Sequence, residues 1–119
     1  MLKPKSLTKI PLKEKDVKKQ IKDYLNALGI FYFCPLQGLG STPGVSDFIG
    51  IYNGKFMAIE AKAAKGKLNE FQSNFLAKVK QQGGIAITAW SVDDVISRLA
   101  EEDKPLSALS FQRRNQWSL

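Results

Sequence analysis

Residues 45–62 read VSDFIGIYNGKFMAIEAK, two apolar runs rich in β-branched and aromatic side chains on either side of Asn53-Gly54. Asn-Gly tolerates positive φ at both central positions of a type I′ turn, the short connection whose twist suits antiparallel strands. The pattern predicts a β-hairpin with strands over 45–52 and 55–62. Along the second strand, alternation directs Met57, Ile59 and Ala61 to one face and Phe56, Ala58, Glu60 and Lys62 to the other. Asp47 and Glu60 are each six residues from the turn, so antiparallel pairing sets the two carboxylates nearly opposite each other.

Upstream, Val17, Ile21, Tyr24, Leu25 and Leu28 recur at helical spacing and Gly29 follows as a C-terminal stop, which predicts a helix over 13–28. A short strand is expected over 30–34, then a loop over 35–44 that holds three glycines and two prolines. Downstream, the lysine-glycine loop 63–67 gives way to Leu68, Phe71, Phe75, Leu76 and Val79, the stripe of a second helix ending near Gly83-Gly84. Residues 85–90 read as a further strand. Ser91-Val92-Asp93-Asp94 has the form of a capping box, with Trp90 and Val95 placed as a hydrophobic staple. Val95, Ile96 and Leu99 give the helix that follows its buried face. The order is α-β-β-β-α-β-α, and the expected fold class is α/β with a mixed central sheet flanked by helices. A basic arm over 1–11 precedes a domain over 12–102; the extension over 103–119 reads either as a segment packed on the domain or as a basic aromatic arm.

A chain of 119 residues with 44% hydrophobic side chains is sufficient for one core. It contains no histidine, which removes Ser-His and Cys-His nucleophiles, histidine bases and the usual zinc sites. Catalysis would have to run on carboxylates, lysines and hard cations. Lysine and arginine outnumber aspartate and glutamate by 18 to 11, a net charge of +7 that favours a polyanionic partner, with nucleic acid the first candidate. No apolar stretch approaches the ~18 residues a membrane helix needs, and the first residues do not resemble a signal peptide, so a soluble cytoplasmic protein is expected. The single Cys34, inside the run Ile30-Phe31-Tyr32-Phe33-Cys34, is expected to be a buried structural thiol.

Glu60 and Lys62 are neighbours on one strand face, opposite Asp47. Two carboxylates opposed across a ladder repel, and a divalent cation neutralises them. Held there, Mg2+ would serve phosphodiester hydrolysis by activating water and offsetting charge on the transition state, with Lys62 orienting or helping to deprotonate that water. The plainer alternative is a solvated cross-strand cluster in which Lys62 merely pairs with one acid. Glu14, three residues before Val17, falls on the side of the apolar stripe where a site residue belongs, or is a first-turn acid favoured by the helix dipole. Gln72, three residues after Asn69, is either a site residue or the closing member of a capping box. Lys65 and Lys67 follow the Glu60 strand within reach of a phosphate, or are equally inert surface lysines; Lys15, Lys18, Lys19 and Lys22 suggest a backbone-binding helix face, for which a solvated face is the commoner outcome. Gly38, Gly40 and Gly44 do not form a P-loop, since no Lys-Ser/Thr pair follows.

Gly44-Val45-Ser46-Asp47 followed by Ile59-Glu60-Ala61-Lys62 resembles the PD-(D/E)XK nuclease signature, with Ser46 in the proline place. More specifically, span 14–99 resembles the VRR-NUC (virus-type replication-repair nuclease) family in its ordered set of Glu14, Asp47, Glu60, Lys62, Gln72 and Gly83-Gly84. The resemblance implies a PD-(D/E)XK nuclease-like fold. It implies that Asp47 and Glu60 bind Mg2+ or Mn2+ with the Ala61 carbonyl as a further ligand, that Lys62 is the catalytic lysine, and that Glu14 and Gln72 complete the site. It also implies a DNA endonuclease acting on four-way junctions or other branched DNA as a homodimer. Two rivals stand beside that expectation: a restriction-type or nicking endonuclease, and a basic DNA-binding module that does not cleave.

Overall fold

The computed structural model describes residues 11–103. Its elements run in the expected order: α1 (Glu14–Ala27), β1 (Tyr32–Phe33), β2 (Phe48–Tyr52), β3 (Lys55–Ala61), α2 (Glu70–Gln81), β4 (Ile85–Ala89) and α3 (Val92–Glu102). The first strand is shorter than its apolar run, and residues 45–47 lie ahead of β2 rather than in it. All but the inner residue of the basic arm and the outer part of the C-terminal extension fall outside the described residues.

The sheet order is β1-β2-β3-β4, antiparallel except between β3 and β4, which makes it mixed. Asn53 (φ 50°) and Gly54 (φ 79°) turn the hairpin, pairing Tyr52 with Lys55 and Phe48 with Ile59. Parallel strands cannot be joined by a tight turn, and the β3–β4 connection carries α2. Because helices cover both faces, β3 is buried from Met57 to Ala61, a central strand with no solvent side. Val17, Ile21 and Leu25 of α1 and Val95 and Leu99 of α3 pack on the face carrying Phe48, Met57, Ile59, Ile85 and Ile87. Leu76 and Val79 of α2 cover Ile49 and Ala58 on the other. Each fully buried aliphatic side chain contributes on the order of 1.5–3 kcal/mol, so this two-sided burial fixes the register of β3.

Both ends of the last helix depart from the sequence pattern or extend it. The Asp94 carboxylate accepts the backbone N–H of Trp90 at 2.8 Å, and Ser91 makes no side-chain cap, so the expected box does not close at Ser91. Trp90 is exposed and donates its indole N–H to the Gly66 carbonyl at 2.9 Å, a hydrogen bond that ties the ring to the lysine loop. At the other end Asp103 accepts from the Tyr52 hydroxyl at 2.6 Å and from Asn53 Nδ2 at 3.0 Å, tying α3 to the hairpin turn. Cys34 is exposed, contrary to the buried thiol its apolar neighbours suggested; the strand has already ended at Phe33.

Gly44 governs how the Asp47 segment meets α2. It adopts φ +73°, and a Cβ there would overlap the Phe71 carbonyl and come within 2.8 Å of the Gln72 backbone nitrogen. The loop therefore lies directly on the first turn of α2. Gly83 also has positive φ (+90°) but open space around it. Gly44→Ala should destabilise the protein by well over about 1 kcal/mol, and clearly more than Gly83→Ala, in paired urea-unfolding curves. Equal losses would mean that backbone strain, not the contact with α2, is all that Gly44 relieves.

Candidate functional site

Continuing the hairpin register one step beyond Phe48–Ile59 brings Asp47 level with Glu60. Glu60 is only 3% exposed, which removes the solvated-cluster alternative for this residue. Its place follows from the topology: β3 is central, Glu60 projects to the α2 side, and parallel pairing sets it beside Thr88 of β4. Asp47, ahead of β2, approaches from the neighbouring strand end.

Each carboxylate has one oxygen anchored by the protein. Asp47 Oδ2 accepts the Ala61 backbone N–H at 2.8 Å, and Glu60 Oε2 accepts from Gln72 Nε2 at 3.0 Å. The other two oxygens are differently placed. Glu60 Oε1 is buried without a hydrogen-bond partner, and Asp47 Oδ1 faces the Lys18 ammonium at 3.4 Å. An unpartnered buried carboxylate oxygen is costly unless something electropositive occupies the space before it. Lys62 lies 3.9 Å from Glu60 Oε2, close enough to attract it but too far for a hydrogen bond. Lys18 also contacts Glu14 at 3.3 Å, so one ammonium bridges a first-turn acid and Asp47.

Burial, with Asp47 beside it, pushes Glu60 up to about 7 against the pull of Lys62. Burial draws the Lys18 ammonium down, yet Asp47 and Glu14 outweigh it and leave Lys18 above its usual value. The cluster sets three carboxylates, Glu14, Asp47 and Glu60, against two ammonium groups, Lys18 and Lys62. Two hard oxygen donors of this kind suit Mg2+ or Mn2+, which use one or two carboxylates and complete their shells with water and substrate phosphate. Among the described residues no third Asp, Glu, Cys or His joins the pair as a ready-made ligand set.

The sequence candidates divide. Asp47, Glu60, Lys62 and Gln72 converge, and Glu14 reaches the group through Lys18. For Gln72 the two alternatives coexist: Oε1 accepts the Asn69 backbone N–H at 3.0 Å and closes the capping box, while Nε2 holds Glu60. Ala61 contributes its N–H to Asp47. Lys65 and Lys67 stand exposed on the loop beside Gly66, outside the cluster. Lys15 and Lys18 line a cavity of about 380 Å³ against Asp47. Sequence reasoning missed that Lys18 is in contact with the acids, that Thr88 flanks Glu60, and that Ser46 is fully buried with its hydroxyl unpartnered. Only Lys18 left a local signal, its i+4 spacing from Glu14.

No protein-family model, curated protein or solved structure matches the chain.

Glu60 holds its proton more tightly in the folded state, near 7, than at its ordinary value of 4.5. Its protonation therefore stabilises the fold fully below about 4.5, and this contribution is lost as pH rises through about 7. In EDTA, Glu60→Gln, which mimics the protonated acid, should raise the thermal midpoint relative to wild type at pH 8 and change it little at pH 5. A variant equally stable relative to wild type at both pH values would show that Glu60 ionises without cost.

Proposed function

We propose that the chain is a metal-dependent nuclease of the PD-(D/E)XK type, resembling the VRR-NUC family, that hydrolyses DNA phosphodiester bonds. The observation that carries this reading is the buried Glu60 oxygen left without a partner beside the Asp47 carboxylate and the Lys62 ammonium. Asp47 and Glu60 would hold Mg2+ or Mn2+, with the Ala61 carbonyl as a further ligand. A hard cation in such a site supplies polarisation of a phosphoryl oxygen and lowers the pKa of water.

The chain's own residues supply the rest. The Ala61 N–H and Gln72 fix the two carboxylates, so their remaining oxygens do not have to reorganise when a cation or phosphate arrives. Lys62, mostly covered and held near Glu60, offers positive charge to a phosphate oxygen and a donor to the attacking water. Lys18 and Glu14 balance charge at the entrance. The excess of 18 cationic over 11 anionic side chains suits a DNA partner. Branched DNA such as a four-way junction is the favoured substrate class, and a homodimer would place two such centres for paired cuts.

The test uses labelled single-stranded, duplex, flap and four-way DNA with Mg2+, Mn2+ or EDTA. Wild type should cut in either metal and not in EDTA. Asp47→Asn, which retains an acceptor for the Ala61 N–H, and Glu60→Gln should abolish cutting while binding persists, and Lys62→Ala should slow it by at least about 100-fold. Without DNA, Mn2+ should raise the thermal midpoint of wild type but not of Asp47→Asn. Binding by all forms with cleavage by none, and no response to Mn2+, would replace the enzyme with a basic DNA-binding module.

A further inference from the structure

Trp90 is held at two points yet belongs to neither apolar cluster of the described residues. Its backbone N–H goes to Asp94 at 2.8 Å and its indole N–H to the Gly66 carbonyl at 2.9 Å, while 41% of the residue stays exposed. The indole N–H is the only donor of that side chain, so with Gly66 engaged the ring offers a partner its electron-rich apolar surface. The acceptor is fixed in turn. The Gly66 N–H donates to the Ala63 carbonyl at 2.8 Å, which closes the loop after β3 and holds the ring's anchor in place.

The register sets this ring beside the acid cluster. Parallel pairing aligns Glu60 with Thr88 and Ala61 with Ala89, and the Lys62 N–H donates to the Ala89 carbonyl at 2.9 Å. One step past the end of β4, Trp90 comes level with Lys62, and alternation gives it the same side of the sheet as Glu60. Strand spacing and rise put its backbone about 8 Å from that of Glu60. Lys65 and Lys67, on either side of the anchoring Gly66, are both exposed.

We infer that Trp90 is a stacking platform for one nucleobase, that of a nucleotide adjoining the phosphate at the acid cluster, with Lys65 and Lys67 set to meet neighbouring phosphates. The inference rests on the nuclease reading for nucleic acid as the partner and for the chemistry at Asp47 and Glu60. Every base has a π face, so an indole takes any of them and reads no sequence. What it requires is a base with one face open, because both faces of a base inside a continuous stack are already covered. The tie to Gly66 keeps the ring from turning away, so the base that stacks on it is placed at a set distance from Lys62. Trp90 is thereby a positioning residue: it holds the nucleotide whose phosphate the carboxylates address.

The chain has two tryptophans, so Trp117→Phe in the full chain leaves Trp90 as the one indole reporter. In EDTA, where nothing is cut, saturating oligothymidylate should quench its emission by roughly half, as a stacked base does. An abasic strand of equal length and charge should bind with the emission unchanged. Trp90→Ala should weaken affinity for oligothymidylate about tenfold and leave affinity for the abasic strand as in wild type. Trp90→Phe, which keeps a ring but loses the bond to Gly66, should recover most of the affinity. Equal losses on the two strands would show that Trp90 merely supports the loop and would overturn the inference. Quenching by the abasic strand, or none by oligothymidylate, would do so as well. Base-dependent binding with no cleavage in Mg2+ or Mn2+ would keep the platform and lose the nuclease. Cleavage with no dependence on the base would do the reverse.

Discussion

A carboxylate on the most buried strand of the sheet sets the terms for everything around it. Glu60 sits on β3 between two other strands and beneath α2, where an ionised acid is unfavourable. The surroundings relieve that cost only in part. Gln72 satisfies one oxygen, Lys62 offers attraction at a distance, and Asp47 adds repulsion. The outcome is an acid poised near 7 with one oxygen unengaged, which costs stability and creates a demand for positive charge.

The fold is arranged to keep that acid in place. Gly44 lets the Asp47 segment lie on the first turn of α2, and the same turn carries Gln72. Asn69 and Gln72 close the end of α2 reciprocally, so the side chain that caps the helix also orients the acid. The Ala61 N–H, at the end of β3, holds Asp47 across the strand gap. On the opposite side of the sheet, α1 brings Glu14 and Lys18 to the same strand ends, and its lysines extend the charged surface outward. Helix capping, backbone packing and charge placement are therefore not separable here; each fixes one member of the same cluster.

Much of this was legible in the chain. Asn53-Gly54 set the hairpin and the count of residues on each side of it, and the count aligned Asp47 with Glu60. The apolar spacing of Val17, Ile21 and Leu25 located α1. Less legible was the fate of groups whose environment depends on contacts distant in sequence. Cys34 follows an apolar run yet lies exposed, because the strand stops before it. Trp90 donates its indole N–H to Gly66, twenty-four residues away, and its backbone N–H to Asp94, while Ser91 makes no side-chain cap. Lys18 read as one of several surface lysines until the helix was set against the segment that leads into β2.

The sequence by itself determined the elements, their order and the pairing across the hairpin, because turn chemistry and periodicity act over a few residues. It also determined that no histidine was available for chemistry. The tertiary structure alone decided that Glu60 is buried, that Gln72 has two partners and that Lys18 bridges two acids. Those facts arise where α1, α2 and the strand ends meet, and burial and electrostatic coupling depend on neighbours that the local chain does not specify.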